Sequence, residues 1–176
     1  MLQTILLILG VIIGVILLLG LVIKKDFVLS SEATINRPKD QVFDFVKLIR
    51  NQEKYSKWVM TDPHVKLVYT GTDGTVGFKS AWESADKSVG VGEQEITEIV
   101  PGEKYSVEIR FEKPFKGTSY ATTATTALSE QQTRVVTTFN SHSPFPMNKM
   151  SALFMGALKK DMDQNSANLK KVLELS

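Results

Sequence analysis

The sequence predicts an α+β protein with one apolar N-terminal helix, a curved antiparallel sheet of about seven strands and a long C-terminal helix. Residues 64–142 alternate β-branched and aromatic segments with turn signals such as Asp73-Gly74 and Pro101-Gly102. No helical pattern long enough for a parallel crossover interrupts them, so neighbouring strands should pair antiparallel. The segment after Pro146 has helical periodicity, and the first 23 residues are almost entirely apolar.

The N-terminal segment, residues 1–25, is predicted to be a membrane anchor. Ile5–Ile23 consists of 19 Leu, Ile, Val and Gly residues, and a helix of about 20 residues crosses the hydrocarbon core. A cleaved signal peptide is the alternative, but no basic residue precedes the run and no small-x-small cleavage site follows it. Lys24 and Lys25 come directly after the run, which favours a single-pass protein with its C-terminal domain in the cytoplasm.

Two glycines in this segment have the spacing of a helix-packing motif. Gly10 and Gly14 are four residues apart, as in anchors whose helices approach closely. The spacing predicts a weak dimer through the bilayer.

Charge and cysteine content exclude several classes of function for the domain predicted at residues 26–176. Without Lys24 and Lys25 the 21 basic residues fall to 19, which equals the 19 acidic residues. A nucleic-acid-binding protein normally needs a basic surface, so no nucleic-acid partner is predicted. The chain has no cysteine, which excludes disulfides, thiol catalysis and cysteine metal sites.

The elements of the domain follow from local patterns. Alternating residues predict a first strand over Asp26–Asn36, and Pro38 is suited to the first turn of a helix over Pro38–Leu48. A second short helix is predicted over Asn51–Trp58, and the last helix runs from about Asn148 to Leu175. Six further strands are predicted between the helices: His64–Thr70, Val76–Ser84, Ser88–Val100, Lys104–Glu112, Thr118–Leu128 and Gln132–Asn140.

Two of these segments bear on a cavity. Thr118–Leu128 is built almost entirely of Ala and Thr, so neither face fills much volume, and the pattern leaves open which face points inward. The last helix has one apolar stripe, and four of the six methionines lie in it or just before it. Methionine suits either a core helix with flexible gap-fillers or the adaptable wall of an apolar cavity.

At this point the chain resembles the START-like, or SRPBCC, superfamily, especially its polyketide cyclase/dehydrase-type branch. The resemblance covers residues 26–175 and implies the helix-grip (Bet v 1/START-like) fold. Members include lipid carriers, cyclases, plant ligand binders and co-chaperones. The motifs that carry it are Arg37-Pro38 with Gln41–Phe45, Lys57-Trp58, Tyr69-x-Gly71-x-x-Gly74, Gly77 with Trp82, Gly90-x-Gly92 with Glu95–Ile99, and Phe111–Phe115.

Residues with catalytic or metal-binding chemistry form no recognisable site. His64 and His142 are the two histidines, both at predicted strand ends and without metal-ligand spacing. Glu93 and Glu95 share one face of a strand, either as a solvated pair or as paired carboxylates in acid–base chemistry. No nucleophile elbow or phosphate-binding loop is present. The sequence therefore predicts no catalytic residue, metal site or cofactor.

The function predicted is that of a membrane-anchored module holding a hydrophobic small molecule or lipid between sheet and C-terminal helix. Ligand pockets are mostly apolar, with a few orienting polar groups. One alternative is a cyclase-like or hydratase-like enzyme, which would need a buried ionisable residue facing the cavity. Another is a co-chaperone-like interaction module with a filled core and an exposed apolar patch. The candidate cavity residues are Trp58, Phe78, Ser80, Trp82, Phe111, Tyr120, Thr122, Phe139, Phe154 and Met155.

Overall fold

Seven strands form one antiparallel sheet in the order β1-β7-β6-β5-β4-β3-β2 in a computed structural model of the chain. The structure describes residues 3–5, 7–11, 14, 26–142 and 147–175, with side chains in the final helix described from residue 154 onward. The elements are β1 (Asp26–Ile35), α1 (Lys39–Val46), a 3-10 helix (Ile49–Lys54), α2 (Lys57–Thr61), β2 (Lys66–Thr70), β3 (Lys79–Glu83), β4 (Val91–Val100), β5 (Lys104–Lys113), β6 (Gly117–Ser129), β7 (Gln132–His142) and α3 (Met147–Leu175).

This architecture confirms the predicted seven-stranded sheet and C-terminal helix and is consistent with a helix-grip fold. The predicted helix over Asn51–Trp58 is instead divided into the 3-10 helix and α2. Tyr55 and Ser56, between the two pieces, are both buried, and the Tyr55 backbone leaves helical geometry at φ −140°. Turning Tyr55 into the core interrupts the helical ladder.

Strands β3 and β4 begin later than the sequence predicts. Gly74 and Gly77 have φ values of 76° and 88°, so the chain before Lys79 follows a left-handed turn that side-chain-bearing residues disfavour. Gly90, at φ 70°, closes a turn by donating its N–H to the Asp86 carbonyl at 2.8 Å. These glycines end the irregular segments and set where strand pairing starts.

The inner face of the sheet, which packs against the helices, takes the odd-numbered residues of β6. Ser119, Thr123 and Thr125 are buried, whereas Tyr120 is 52% exposed. This settles the face that the sequence left open. In β5, Tyr105 and Val107 are buried on the same inner face, as their alternation predicts.

The main core lies over one half of the inner face. There α1, the 3-10 helix and the C-terminal half of α3 cover the sheet. Its fully or nearly buried apolar side chains are Ile35, Val42, Val46, Ile49, Tyr55, Phe78, Ile96, Tyr105, Val107, Val135, Leu169 and Leu173.

The predicted anchor Ile5–Ile23 lies largely outside the described residues. Residues 3–5, 7–11 and 14 are helical. Among the residues described, none belongs to a helix with the length and hydropathy needed to cross a bilayer. The dimer through Gly10 and Gly14 stays a prediction.

Candidate functional site: an apolar groove on the inner face of the sheet

The final helix runs alongside β1 and is fixed to it by hydrogen bonds. Ser31 Oγ donates to the Met162 carbonyl at 3.2 Å and lies 2.7 Å from Ser166 Oγ. Near the other end of β1, the Asn36 N–H donates to Glu174 Oε1 at 2.8 Å. Helix and strand therefore advance in the same direction. The part of α3 before Met162 extends past Ser31 toward the start of β1.

A second set of hydrogen bonds and an ion pair joins α3 to the α2 region. The Lys57 backbone N–H donates to Asn165 Oδ1 at 2.6 Å, and the Lys57 ammonium pairs with Asp161. One turn later, Asn168 Nδ2 donates to the Tyr55 carbonyl at 3.1 Å. Because these bonds lie between residues 161 and 168, they hold the middle of the helix over the sheet.

One row of cross-strand neighbours, which we call a register row, changes from buried to partly exposed as it crosses the sheet. Phe78, Ile96 and Val107 are 1–4% exposed, but the row continues through Ala121 and then Phe139 and Leu29, which are all partly exposed. Ala121 lies on an interior strand, where a side chain is normally covered on its inner side. Ala121 packs against the margin of the main core. Because its side chain is shorter than those of Val107 and Phe139 on either side, we interpret this part of the inner face as a shallow depression.

The depression continues toward the end of β5. Ile109 and Phe111 are partly exposed on the same face, and the Phe111 ring meets the Trp82 ring edge-on at a centroid distance of 6.0 Å. The indole is fixed by its Nε1–H, which donates to the Val89 carbonyl at 3.2 Å. We call the resulting surface the inner-face groove, defined by Leu29, Trp82, Ile109, Phe111, Ala121 and Phe139.

Gly92 is required where the groove passes under Trp82. A Cβ built on Gly92 would lie 2.5 Å from Trp82 Cζ2 and 2.7 Å from the Arg110 carbonyl oxygen. Any side chain at Gly92 would displace the indole ring. The glycine therefore allows the indole ring to approach the backbone of β4 closely.

Polar side chains cross the inner face beside the groove. Gln52 of the 3-10 helix and Gln94 of β4 form a reciprocal amide pair, with Gln94 Nε2 donating to Gln52 Oε1 at 2.8 Å. Burial raises the pKa of Tyr55 well above its ordinary value, and a hydrogen bond with Tyr105 raises it further. Burial also raises the pKa of Tyr105, although hydrogen bonds to Thr123 and Gln52 partly offset this. Both phenols stay protonated and neutral at physiological pH.

The predicted site residues do not all lie together. Trp82, Phe111 and Phe139 line the groove, whereas Phe78 is a core residue stacked on Tyr69. Ser80 is 4% exposed on the inner face. Three further predicted residues lie on the helices. Trp58 of α2 and Met155 of α3 are partly buried, and Phe154 of α3 is 58% exposed.

Two predicted residues lie on the outer face of β6. Tyr120 is half exposed there, and Thr122 Oγ1 lies 3.0 Å from Ser106 Oγ on the neighbouring strand. The reason is the register of β6, since an even-numbered residue points away from α3. The groove residues that sequence reasoning missed are Leu29, Ile109 and Ala121; the signal for Ala121 was the small-residue composition of its strand.

Two surface pockets are centred elsewhere on the domain, although the lining of the second includes Trp82 of the inner-face groove. One, of about 470 Å³, lies between the α2 region and the end of α3, and its lining includes Met60, Val172 and Leu175. The other, of about 350 Å³, is on the outer face near the β2 edge, beside Val68 and Arg110. The groove differs from both because most of its residues lie on the inner face of β1, β7, β6 and β5.

The outer face carries a cluster of paired charges instead of a catalytic dyad. Arg110 donates to Glu93 at 2.6 Å, to Glu95 at 2.7 Å and to Glu108 at 2.6 Å. Its hydrogen bond lowers the pKa of Glu95 from the ordinary value, and Lys79 lowers it further. Glu93 and Glu95 therefore share one guanidinium on the outer face, which favours the solvated-pair interpretation of the sequence.

We expect Arg110→Met to reduce the free energy of unfolding at neutral pH by about 1 kcal/mol, because three carboxylates lose their shared cation. Since the Glu95 pKa is lowered in the folded state, the network stabilises above the carboxyl pKa of the unfolded chain. This contribution is lost as the pH falls through the folded value. Chemical denaturation of wild type and variant should therefore differ at neutral pH and converge in acid. A difference that persists in acid would contradict this assignment.

The histidines lie apart and are exposed. His142 Nδ1 is 2.6 Å from Asp26 Oδ1 at the end of the sheet, and the backbone N–H of His64 donates to Asp62 Oδ1. Among the residues that the structure describes, no three His, Asp or Glu side chains converge as a metal site would require.

Comparison with known proteins supports a common fold. A family described as "Polyketide cyclase / dehydrase and lipid transport" matches residues 26–174. No curated protein matches the chain.

Three similar solved structures illustrate the range of proteins with this fold. Norcoclaurine synthase from Thalictrum flavum, solved with dopamine and hydroxybenzaldehyde, has a TM-score of 0.65 and 13% identity over 90% of this chain and 92% of its own. The Aha1 dimer from Colwellia psychrerythraea has a TM-score of 0.59 and 15% identity over 85% and 97%. A protein from Mesorhizobium loti has a TM-score of 0.61 and 17% identity over 85% and 98%. At these identities the likeness concerns the fold alone.

Proposed function

The chain belongs to the polyketide cyclase/dehydrase and lipid transport family, and from that premise we propose that it binds a hydrophobic small molecule or lipid in the inner-face groove, beneath α3. The observation that carries the proposal is Ala121. Its short side chain stays partly exposed on an interior strand, between the aromatic ring of Phe139 and the buried Val107. An apolar depression bordered by fixed aromatic rings is the usual form of a site for an apolar ligand.

We further propose that residues 1–25 anchor the domain, so that the groove lies beside the bilayer where apolar ligands are concentrated. β1 begins at one end of the sheet, where Asp26 pairs with His142, so this end would face the bilayer. The β5–β6 loop lies at the same end of the strands. In that loop Phe115 is 48% exposed between the exposed Lys113 and Lys116, and such a combination suits the lipid headgroup region.

A cysteine-free chain makes this orientation easy to test. We expect an environment-sensitive fluorophore on Phe115→Cys to be quenched by lipids carrying a quencher near the headgroup, when the full chain is reconstituted in vesicles. Leu128→Cys is the matched control, since Leu128 is 51% exposed near the β6–β7 turn, at the opposite end of the strands. Equal quenching at both positions would contradict the proposed orientation.

The enzyme alternative has less support from the described residues. Their buried polar side chains outside the tyrosines are all Ser and Thr, and no Asp, Glu, His, Lys or Arg is among them. Burial raises the pKa values of Tyr55 and Tyr105, so each stays protonated at neutral pH and is a poor general base.

The interaction-module alternative would use a different surface. Met60 and Leu175 are 57% and 77% exposed beside the pocket at the end of α3. That surface carries no residue of the inner-face groove, so the two hypotheses can be separated by mutation.

Native mass spectrometry of the full chain tests the proposal. After extraction into detergent and exposure to a lipid extract, we expect one reproducible added mass per chain. Phe139→Asp distinguishes the groove from the N-terminal segment. A lipid bound in the groove should be lost in this variant, whereas a lipid bound only to the N-terminal segment should be retained. An unliganded mass, under conditions that preserve other lipid complexes, would contradict ligand binding.

A further inference from the structure

The inner-face groove has one polar end, which is the feature that specifies its ligand. The register row beside the groove runs through Tyr69, Ser80, Gln94, Ile109 and Ser119. Ile109 belongs to the groove, and Gln94 is its direct cross-strand partner. A carboxamide therefore lies next to the apolar lining on the same face of the sheet.

Gln94 is fixed in position while retaining hydrogen-bonding capacity. Its Nε2 donates to Gln52 Oε1 at 2.8 Å, and the return contact from Gln52 Nε2 is 3.5 Å long. Each amide has two N–H donors and two acceptor lone pairs. The reciprocal pair uses one donor and one acceptor of Gln94, and both side chains stay partly exposed. A ligand group can therefore bind to the remaining positions.

Ser80 supplies a second polar group at the same place. It is the cross-strand partner of Gln94 and is only 4% exposed. Within the part of the chain that the structure describes, its hydroxyl has no hydrogen-bond partner. Burying a hydroxyl without a partner costs about 1–3 kcal/mol, so an unpaired Ser80 indicates a missing polar group.

The charges around this polar end restrict what that group can be. No charged side chain is among the buried residues described. On the nearby 3-10 helix, Glu53 accepts the Tyr69 hydroxyl and the Arg50 guanidinium lies 4.4 Å from the Tyr69 ring centroid. Arg50 and Glu53 are both exposed, so an ionic headgroup buried at Gln94 would have no buried counter-charge, and an unpaired buried charge is strongly unfavourable.

We propose that the Gln52–Gln94 amide pair and the Ser80 hydroxyl bind the polar group of an uncharged hydrophobe that carries one hydroxyl or carbonyl. The inference rests on the proposed function, which supplies the apolar part of the same site. The hydrocarbon body lies along Ile109, Phe111 and Ala121, and its polar group reaches Gln94. A lipid with an ionic headgroup would bind only with that headgroup left outside the groove.

Three ligands of equal carbon number test this specificity. The full chain in micelles is titrated with a long-chain alcohol, the corresponding alkane and the corresponding carboxylate, and occupancy is measured by native mass spectrometry. We expect the alcohol to bind about tenfold more tightly than the alkane, which is the gain from one ordinary hydrogen bond. The carboxylate should bind more weakly than the alcohol.

Two substitutions locate the effect at the polar end. Ser80→Ala and Gln94→Leu should each lower the affinity for the alcohol relative to the alkane, until the two ligands bind about equally. Ser106→Ala is the matched control, because Ser106 is a hydroxyl on the outer face, and it should retain the preference. The milder Ser80→Ala keeps the test decisive if Gln94→Leu does not fold.

The outcomes separate this inference from the function on which it rests. Equal binding of alcohol and alkane by the wild type, or tightest binding of the carboxylate, would overturn the polar-end assignment and leave the hydrophobe-binding function standing. Equal loss of alcohol and alkane in Ser80→Ala would also overturn it, because the residue would then act only on structure. If no hydrophobe binds, the proposed function fails and the inference fails with it.

Discussion

Replacing Ala121 by Phe is expected to abolish ligand binding while leaving the domain folded. The added ring would occupy the depression between Val107 and Phe139. We expect affinity to fall by roughly 100-fold, since even one misplaced methylene-sized group in an apolar pocket costs about 1–3 kcal/mol. Because Ala121 is partly exposed at the margin of the core, the free energy of unfolding should fall by no more than about 1–3 kcal/mol. Native mass spectrometry and denaturation measure the two quantities.

The control for this substitution is Ala124→Phe in the same strand. Ala124 is the cross-strand partner of Val136 and Lys104 and lies on the outer face. The Ala124→Phe substitution makes the same chemical change three residues away, on the face opposite the groove. If Ala124→Phe also removes the ligand, or if Ala121→Phe retains it, the ligand does not lie on the inner face.

Phe78→Ala is expected to have the largest effect on stability, a loss of about 3–5 kcal/mol, because truncating a buried aromatic residue leaves a cavity. Phe78 is 1% exposed and stacks on Tyr69 with a centroid distance of 6.0 Å. Its backbone also pairs with Ile96, where Ile96 N–H donates to the Phe78 carbonyl. Denaturant unfolding of the full chain in micelles measures the change.

Leu128→Ala provides the comparison for Phe78→Ala. Leu128 is 51% exposed near the β6–β7 turn, and substitution there should change stability by no more than about 0.5 kcal/mol. A small effect of Phe78→Ala would mean that the buried half of the sheet tolerates a cavity, which would contradict the division between a filled core and an open groove.

The fold follows from sequence wherever one face of an element is clearly apolar. In β5, Tyr105 and Val107 alternate with Ser106 and Glu108, and the apolar pair is buried as predicted. The short helix after Asn51 was predicted as one piece because helical periodicity carries no signal for the buried turn at Tyr55. That turn depends on tertiary contacts, such as the hydrogen bond from Asn168 to the Tyr55 carbonyl.

The orientation of β6 could not be predicted, since both of its faces consist of small or hydroxyl side chains. Ala121 and Thr123 point inward, while Thr122 and Ala124 point outward, and a shift of one residue would leave the hydrophobic pattern almost unchanged. Placing the strand requires its partners, above all β5 with its strong alternation. For this reason Tyr120 and Thr122 were included in the predicted cavity although they lie on the other face.

Gln94 was missed for a related reason. It lies between Glu93 and Glu95 in a run of polar residues that indicates a solvent-facing strand. A register shift between Ile96 and Glu98 also breaks the alternation of β4. Only the pairing of Gln94 with Ile109 and its hydrogen bond to Gln52 place it on the inner face.

Residue-level photo-crosslinking tests the central claim most directly. A long-chain alcohol carrying a photoactivatable diazirine is added to the full chain in micelles, and the labelled side chains from Asp26 onward are identified by fragmentation mass spectrometry. We predict labelling of Ala121, Phe139 and Phe111, with competition by the unlabelled alcohol. Competable labelling confined to Tyr120 on the outer face, or to Met60 and Leu175 beside the pocket at the end of α3, would contradict a ligand site on the inner face of the sheet.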